Sequence, residues 1–409
     1  MKNDLDRLME ERRIGALLIL PGENEDPYRA YLSNGARFSG MVVKKRGEPP
    51  VLIANGMERD EAAKSGFTVY TYDDFGYGEL LREHRNDLDQ VKPAWYRRIF
   101  ETLGVQGRLT IYGVGDINGA FRLLAALSEG LRDRVEFVTE QERSTIFDRA
   151  YETKDAGELA KLREVARRTS AVMRATREWI ASHRARDGVV IGDDDSPVTI
   201  GDAKRYVRSQ LFEQDLEDPE GMIFAQGRDA GVPHSRGENG DPLRLGQTII
   251  FDLFPREPGG YFHDVTRTWC IGHATQEVQA AYEAVREAHR RSIAMCEPGV
   301  TTNTVQHMVC QYFEKLGHPT LLSTPGTTDG YVHGLAHGLG LNVHEAPFFP
   351  THSEQYCLQP GNVFTIEPGL YYPERGYGVR VEDTVYLNEA GQIETLTDCP
   401  YDLVIDLKD

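Results

Sequence analysis

The run Thr248, Ile249, Ile250, Phe251, Asp252, Leu253, Phe254 sets one carboxylate among apolar neighbours on both faces. Such a run reads as a strand covered on both sides. A lone carboxylate buried there is costly unless something pairs with it. A second acid is close at hand. Asp264 opens the β-rich run 265–271, and Pro255, Pro258, Gly259 and Gly260 supply a turn between the two runs. Segments 247–253 and 265–271 therefore predict a hairpin that brings two acids together. Paired carboxylates without a cation repel and raise a pKa, and a divalent ion removes that cost.

A second hairpin repeats the pattern. Glu367 follows Val363, Phe364, Thr365 and Ile366, and Glu382 follows Gly378, Val379, Arg380 and Val381. Segments 362–367 and 378–387 predict two paired strands joined by a Gly/Pro-containing loop. Side-chain alternation puts Arg380 and Glu382 on one face and Asp383 on the other. The same alternation turns His263 away from Asp264, so His263 is not counted as a ligand. Four carboxylates formally balance two divalent ions, and His337 completes a set of five. Oxygen-rich ligation with one imidazole suits manganese, cobalt or zinc. Two carboxylates would bridge the ions at about 3.5–4 Å, as in two-metal hydrolases.

The rest of the chain organises around this region. Segments 14–20, 38–44, 50–54, 68–72, 109–112 and 135–138 read as strands, and 58–65 and 118–129 as helical. They predict an α/β domain over residues 1–150, with no catalytic constellation of its own. A boundary falls near 145–154. Asp155 and Glu158 then form a capping box that opens a long helix, striped by Leu159, Leu162, Val165, Ala166, Val172 and Met173. A polar loop at 188–196 leads to a helix at 200–212, and further helices are expected at 276–295 and 302–316. Residues 151–409 are thus expected to form an α+β domain with antiparallel strands. Ten of the twelve histidines lie at or after His234, so imidazole chemistry belongs to this second domain.

Composition excludes some classes of partner. A net charge of −18 disfavours nucleic acid and anionic membrane, both of which need basic patches. No stretch approaches the roughly 20 apolar residues of a membrane span. The opening thirteen residues are charged throughout, and the apolar run 14–21 is too short for a signal-peptide core, so a cytoplasmic location is expected. Five widely spaced cysteines without a CxxC argue against a disulfide framework or a zinc ribbon.

These residues resemble the pita-bread metallopeptidases, which include methionine aminopeptidase, Xaa-Pro aminopeptidase and prolidase. The matching segments are Ile249 to Asp252; His263-Asp264-Val-Thr-Arg-Thr; His333-Gly-Leu-Ala-His337 through His344-Glu; Thr365-Ile-Glu367-Pro-Gly; and Gly378-Val-Arg-Val-Glu382-Asp. The first part resembles the creatinase-type N-terminal domain of the Xaa-Pro branch. By this resemblance Asp252 chelates one metal, His337 and Glu367 bind the other, and Asp264 and Glu382 bridge. His234 would contact substrate near the scissile bond, and His344 would stabilise the tetrahedral intermediate. Arg380 would anchor a carboxylate-bearing substrate. Arg380 and His333 fit the Xaa-Pro branch. Two departures touch the pocket. The Asp252–Asp264 connection is one residue longer than the family pattern, and Asn342 stands where an acid is common.

The expected chemistry is hydrolysis of an amide bond by a hydroxide between two divalent ions, manganese first, with Glu367 as proton shuttle. The leading substrate is a small Xaa-Pro peptide, for a dipeptidase or an aminopeptidase, and the resemblance implies a homodimer. An ectoine-hydrolase-like enzyme acting on a small non-peptide amide or amidine shares the plan. Creatinase works without metal, and the intact set of five argues against it. A non-catalytic binding protein on the fold would be expected to lose ligands or His344.

Overall fold

The computed structural model describes residues 2–140 and 144–408. The chain divides into two compact units, Met1–Ala150 and Tyr151–Asp409. Among the described residues, the first unit is built on a six-stranded mixed sheet. Its order is Thr68–Thr71, Val51–Ala54, Met41–Lys45, Ala16–Ile19, Gly107–Tyr112, Val135–Phe137. Ala16–Ile19 is buried throughout, pairing antiparallel with Met41–Lys45 and parallel with Gly107–Tyr112. Burial on both faces is why this segment reads as an unbroken apolar run rather than an alternating one.

Helix Ile117–Gly130 lies where 118–129 predicts it. Helix Leu88–Leu103 is not evident from the sequence pattern. It buries Val91, Trp95, Tyr96, Ile99 and Phe100 at helical spacing, but Pro93 sits inside the run and masks the period.

In the second unit, Asp155 and Glu158 form the expected capping box on helix Ala156–Ala181. Helices Ile200–Glu213, Gln276–Met295 and Thr302–Lys315 also follow the sequence pattern. The segment 188–196 is not simply a loop. Arg184–Arg186 and Val189–Ile191 form a small hairpin, turned by Asp187 and Gly188 at φ of 53° and 76°. Asp-Gly is a favoured two-residue turn, and the charged, exposed first strand hides the signal.

The first predicted hairpin forms. Thr248–Leu253 pairs with Val265–Ile271, placing Asp252 opposite Thr266. Ile223–Gln226 and Val404–Ile405 extend the pair to four strands. The second predicted hairpin also forms, in one antiparallel register, but with an interruption. The run 378–387 is not one strand but two, in different sheets. Tyr377–Arg380 pairs with Gly369–Tyr372, whereas Asp383–Leu387 pairs with Val363–Ile366 in a five-stranded sheet. The break lies between the pairs Ile366↔Asp383 and Gly369↔Arg380. Pro368 is the physical reason: it has no N–H to donate, so the ladder cannot run through it.

Candidate metal centre

The broken ladder leaves Glu367 and Glu382 outside regular strand, facing the end of the first hairpin. Hydrogen bonds between the two elements hold them there. Glu382 N donates to Thr266 O at 3.1 Å, and Thr384 Oγ1 donates to Asp264 O at 2.8 Å. Glu367 N donates to Leu335 O at 2.8 Å, drawing in the segment that carries His337. The result is one cavity of about 400 Å³. All nine residues singled out in the sequence line it: His234, Asp252, Asp264, His333, His337, His344, Glu367, Arg380 and Glu382.

Within the cavity Asp264, His337 and Glu382 offer ligand atoms that lie within 4.8 Å of one another. Glu367 joins them through His337, whose Nε2 lies 3.5 Å from Glu367 Oε1 and 3.7 Å from Asp264 Oδ2. Asp252 is drawn aside, accepting from Arg380 Nη2 at 2.6 Å. Four of the five ligand candidates are under a tenth exposed, and Glu367 is half-buried.

This donor set fits divalent cations. Asp252 Oδ1, Asp264 Oδ1 and Glu382 Oε1 are buried and accept no hydrogen bond. Each unsatisfied buried oxygen costs roughly 1–3 kcal/mol or more. Burial first, then mutual repulsion, pushes Asp264 and Glu367 well above the ordinary carboxylate range and Glu382 up to about 8. Burial first, then the nearby His344, pushes His337 down to about 3, so its ring is neutral at pH 7. His337 Nδ1 lies 3.1 Å from Gly338 O, to which a neutral ring donates. That contact leaves the Nε2 lone pair facing the acids, as a metal-binding histidine requires.

Several supporting residues escaped the sequence reading. Thr266 Oγ1 donates to Glu382 Oε2 at 2.7 Å and accepts from Arg380 Nε at 3.1 Å. Tyr371 Oη accepts from Arg380 Nη1 at 2.9 Å and lies 2.8 Å from His333 Nε2. His333 Nδ1 lies 2.7 Å from Gly334 O, so the ring donates there and receives the Tyr371 hydroxyl at Nε2. Burial, reinforced by the Arg380 charge, pushes His333 down to about 3. The position of Thr266 carried a usable signal: two residues past Asp264, it shares that residue's face by alternation. Tyr371 carried none, lying in an apolar run whose contact with Arg380 is tertiary.

His263 is buried away from the cavity, with Nε2 3.2 Å from Thr397 Oγ1, and Asp383 pairs with Arg267 at 2.7 Å. His234 and His344 are exposed at the cavity mouth, where the His344 ring packs edge-on against His337 at 4.3 Å.

Residues 160–389 match metallopeptidase family M24. The chain belongs to that family. This M24 metallopeptidase is accordingly a hydrolase. It is 27% identical to the putative dipeptidase YkvY of Bacillus subtilis, covering 92% of this chain and 91% of that one. Its fold is similar to a solved Xaa-Pro dipeptidase from Bacillus anthracis, with a TM-score of 0.75 and 21% identity over 98% of this chain and 99% of the other. It is also similar to an X-Pro aminopeptidase from Thermotoga maritima, with a TM-score of 0.72 and 22% identity over 98% and 100%. At such identities the likeness speaks for the pita-bread architecture. Among the described residues of this metallopeptidase, no helix is long and apolar enough to cross a membrane.

Proposed function

We propose that this metallopeptidase hydrolyses the amide bond of Xaa-Pro peptides using two divalent ions, manganese in the first place. Asp252, Asp264, His337, Glu367 and Glu382 would hold them. The observation that carries the reading is the set of three unsatisfied carboxylate oxygens converging on one cavity, on Asp252, Asp264 and Glu382. Bound divalent ions would supply a Lewis acid and lower the pKa of water toward about 7.

The chain's own groups do the rest. Glu367 is the least buried acid of the set, and its carboxylate takes the proton that the attacking water gives up and passes it to the leaving amine. His344, at the mouth, donates a ring N–H to the oxygen on which charge develops. His234, also lining the cavity, contacts the substrate beside the scissile bond. His333, Tyr371, Arg380 and Thr266 form a relay of hydrogen bonds that holds Asp252 and Glu382 in place. Five unpaired cysteines, four of them buried, suit a reducing compartment, and we place the enzyme in the cytoplasm.

Metal analysis of the purified protein, with Ala-Pro turnover measured before and after chelation, tests the reading. The expected result is two divalent ions per chain, loss of turnover on chelation, and recovery with manganese. Full turnover by metal-free protein, or a metal-loaded protein inert toward Xaa-Pro peptides, would overturn it.

A further inference from the structure

Two permanent cations, Arg236 and Arg380, line the cavity. They differ in what they have left to offer. Arg380 is buried, and its donors are spent on the protein. Nε donates to Thr266 Oγ1, Nη1 to Tyr371 Oη and to Pro233 O, and Nη2 to Asp252 Oδ2. A guanidinium carries five N–H donors. One remains, and a bidentate clamp on a carboxylate takes two. The carboxylate-anchoring role expected of Arg380 is therefore hard to fill from its place in the wall.

Arg236 is the opposite case. It is exposed, and among the described residues it makes no hydrogen bond and no ion pair within 4.0 Å. Its guanidinium is nonetheless seated. At Gly221, with φ of +78°, a Cβ would lie 2.4 Å from Arg236 Nη1 and 3.4 Å from Cζ. The bare glycine leaves the space in which the guanidinium rests. Asp218 adds attraction, since the charges of Arg208 and Arg236 both favour its ionised form against the cost of burial. Glu220 lines the same cavity without closing an ion pair on Arg236. The cavity thus presents one full, uncommitted guanidinium fork.

We infer that Arg236 anchors the free α-carboxylate of the substrate, and that this metallopeptidase is therefore a dipeptidase. The inference rests on the Xaa-Pro peptidase reading. In a dipeptide the carboxylate stands three bonds from the scissile carbon, within the same small cavity. In a longer peptide a neutral amide takes that position and forfeits the charge-assisted pair.

Steady-state kinetics of the metal-loaded wild type, Arg236→Met and Arg236→Lys on Ala-Pro, Ala-Pro amide and Ala-Pro-Ala test it. The wild type is expected to favour Ala-Pro. Arg236→Met should raise KM for Ala-Pro by about tenfold or more, with kcat and the two substrates that carry an amide after proline shifting less than about twofold. Arg236→Lys should fall between, since lysine keeps the charge and loses the fork. An equal loss on Ala-Pro and its amide, or no loss on Ala-Pro, overturns the inference while leaving the peptidase reading intact. A wild type inert on all three substrates overturns the peptidase reading, and Arg236's role with it.

Discussion

Glu382 shows how a single side chain is set for its task. One oxygen accepts from Thr266 at 2.7 Å, and the other is buried and bare. Thr266→Val keeps the shape and removes the donor. It should weaken divalent-metal affinity by about 10–100-fold, as loss of a hydrogen bond to a ligand does, read by titration against a competing chelator. An unchanged affinity would show that Thr266 does not support the site. Glu367 makes a different prediction. Glu367→Gln should lower kcat by about 10²–10⁴-fold while the circular dichroism spectrum stays that of wild type. If the variant keeps its metal and most of its turnover, Glu367 is not the proton shuttle. The face of Glu382 was legible at this scale because alternation is local. The commitment of Arg380 was not, because its acceptor Asp252 lies 128 positions away.

At the scale of elements, the apolar strands of the first hairpin and the periodic helices could be read directly, since burial imprints their spacing on the sequence. The division of 378–387 between two sheets could not. It comes from an interruption of the ladder at Pro368, which acts from the opposite strand. A further element-level device adjoins His344 in the chain. Lys154 Nζ meets Glu345 Oε1 at 2.5 Å, both side chains almost wholly buried. Asn342 contributes its N–H at 3.3 Å and its amide at 3.4 Å to Glu345 Oε2. An acid at position 342 would set a second carboxylate against Glu345, which gives a physical reason for the asparagine. Lys154→Met leaves Glu345 buried without its cation and should cost about 3–5 kcal/mol in denaturant unfolding. Lys154→Met combined with Glu345→Gln should recover part of that loss. A single variant as stable as wild type would mean the pair does not brace this loop.

At the scale of the whole molecule, the acid cluster ties stability to pH and metal. Asp264, Glu367 and Glu382 are raised in the folded protein by burial and then by neighbouring carboxylates, Asp252 among them. Groups raised in this way favour the folded state when protonated. Their contribution to metal-free protein is full below the unfolded carboxylate range, near pH 4, and is lost as pH rises through the folded values, about 8 for Glu382. The Tm of chelated protein should therefore fall between about pH 5 and pH 9. Saturating manganese should flatten that slope, because bound cations take over from the protons. Thermal unfolding in chelator and in manganese across this range checks both, and parallel curves would remove the cluster as the cause.

From sequence alone came the two-part α/β and α+β plan and the demand for cations. Both follow from short-range rules: alternation assigns a side chain to a face, and a lone acid in an apolar strand must find a partner. Only the tertiary structure decided which groups answer one another across the cavity. It set Arg380 against Asp252 and Tyr371, Thr266 beneath Glu382, and Arg236 on the bare Gly221 with its fork unspent. Those pairings join residues far apart in the chain, and no local pattern records a contact that exists only once the elements have packed.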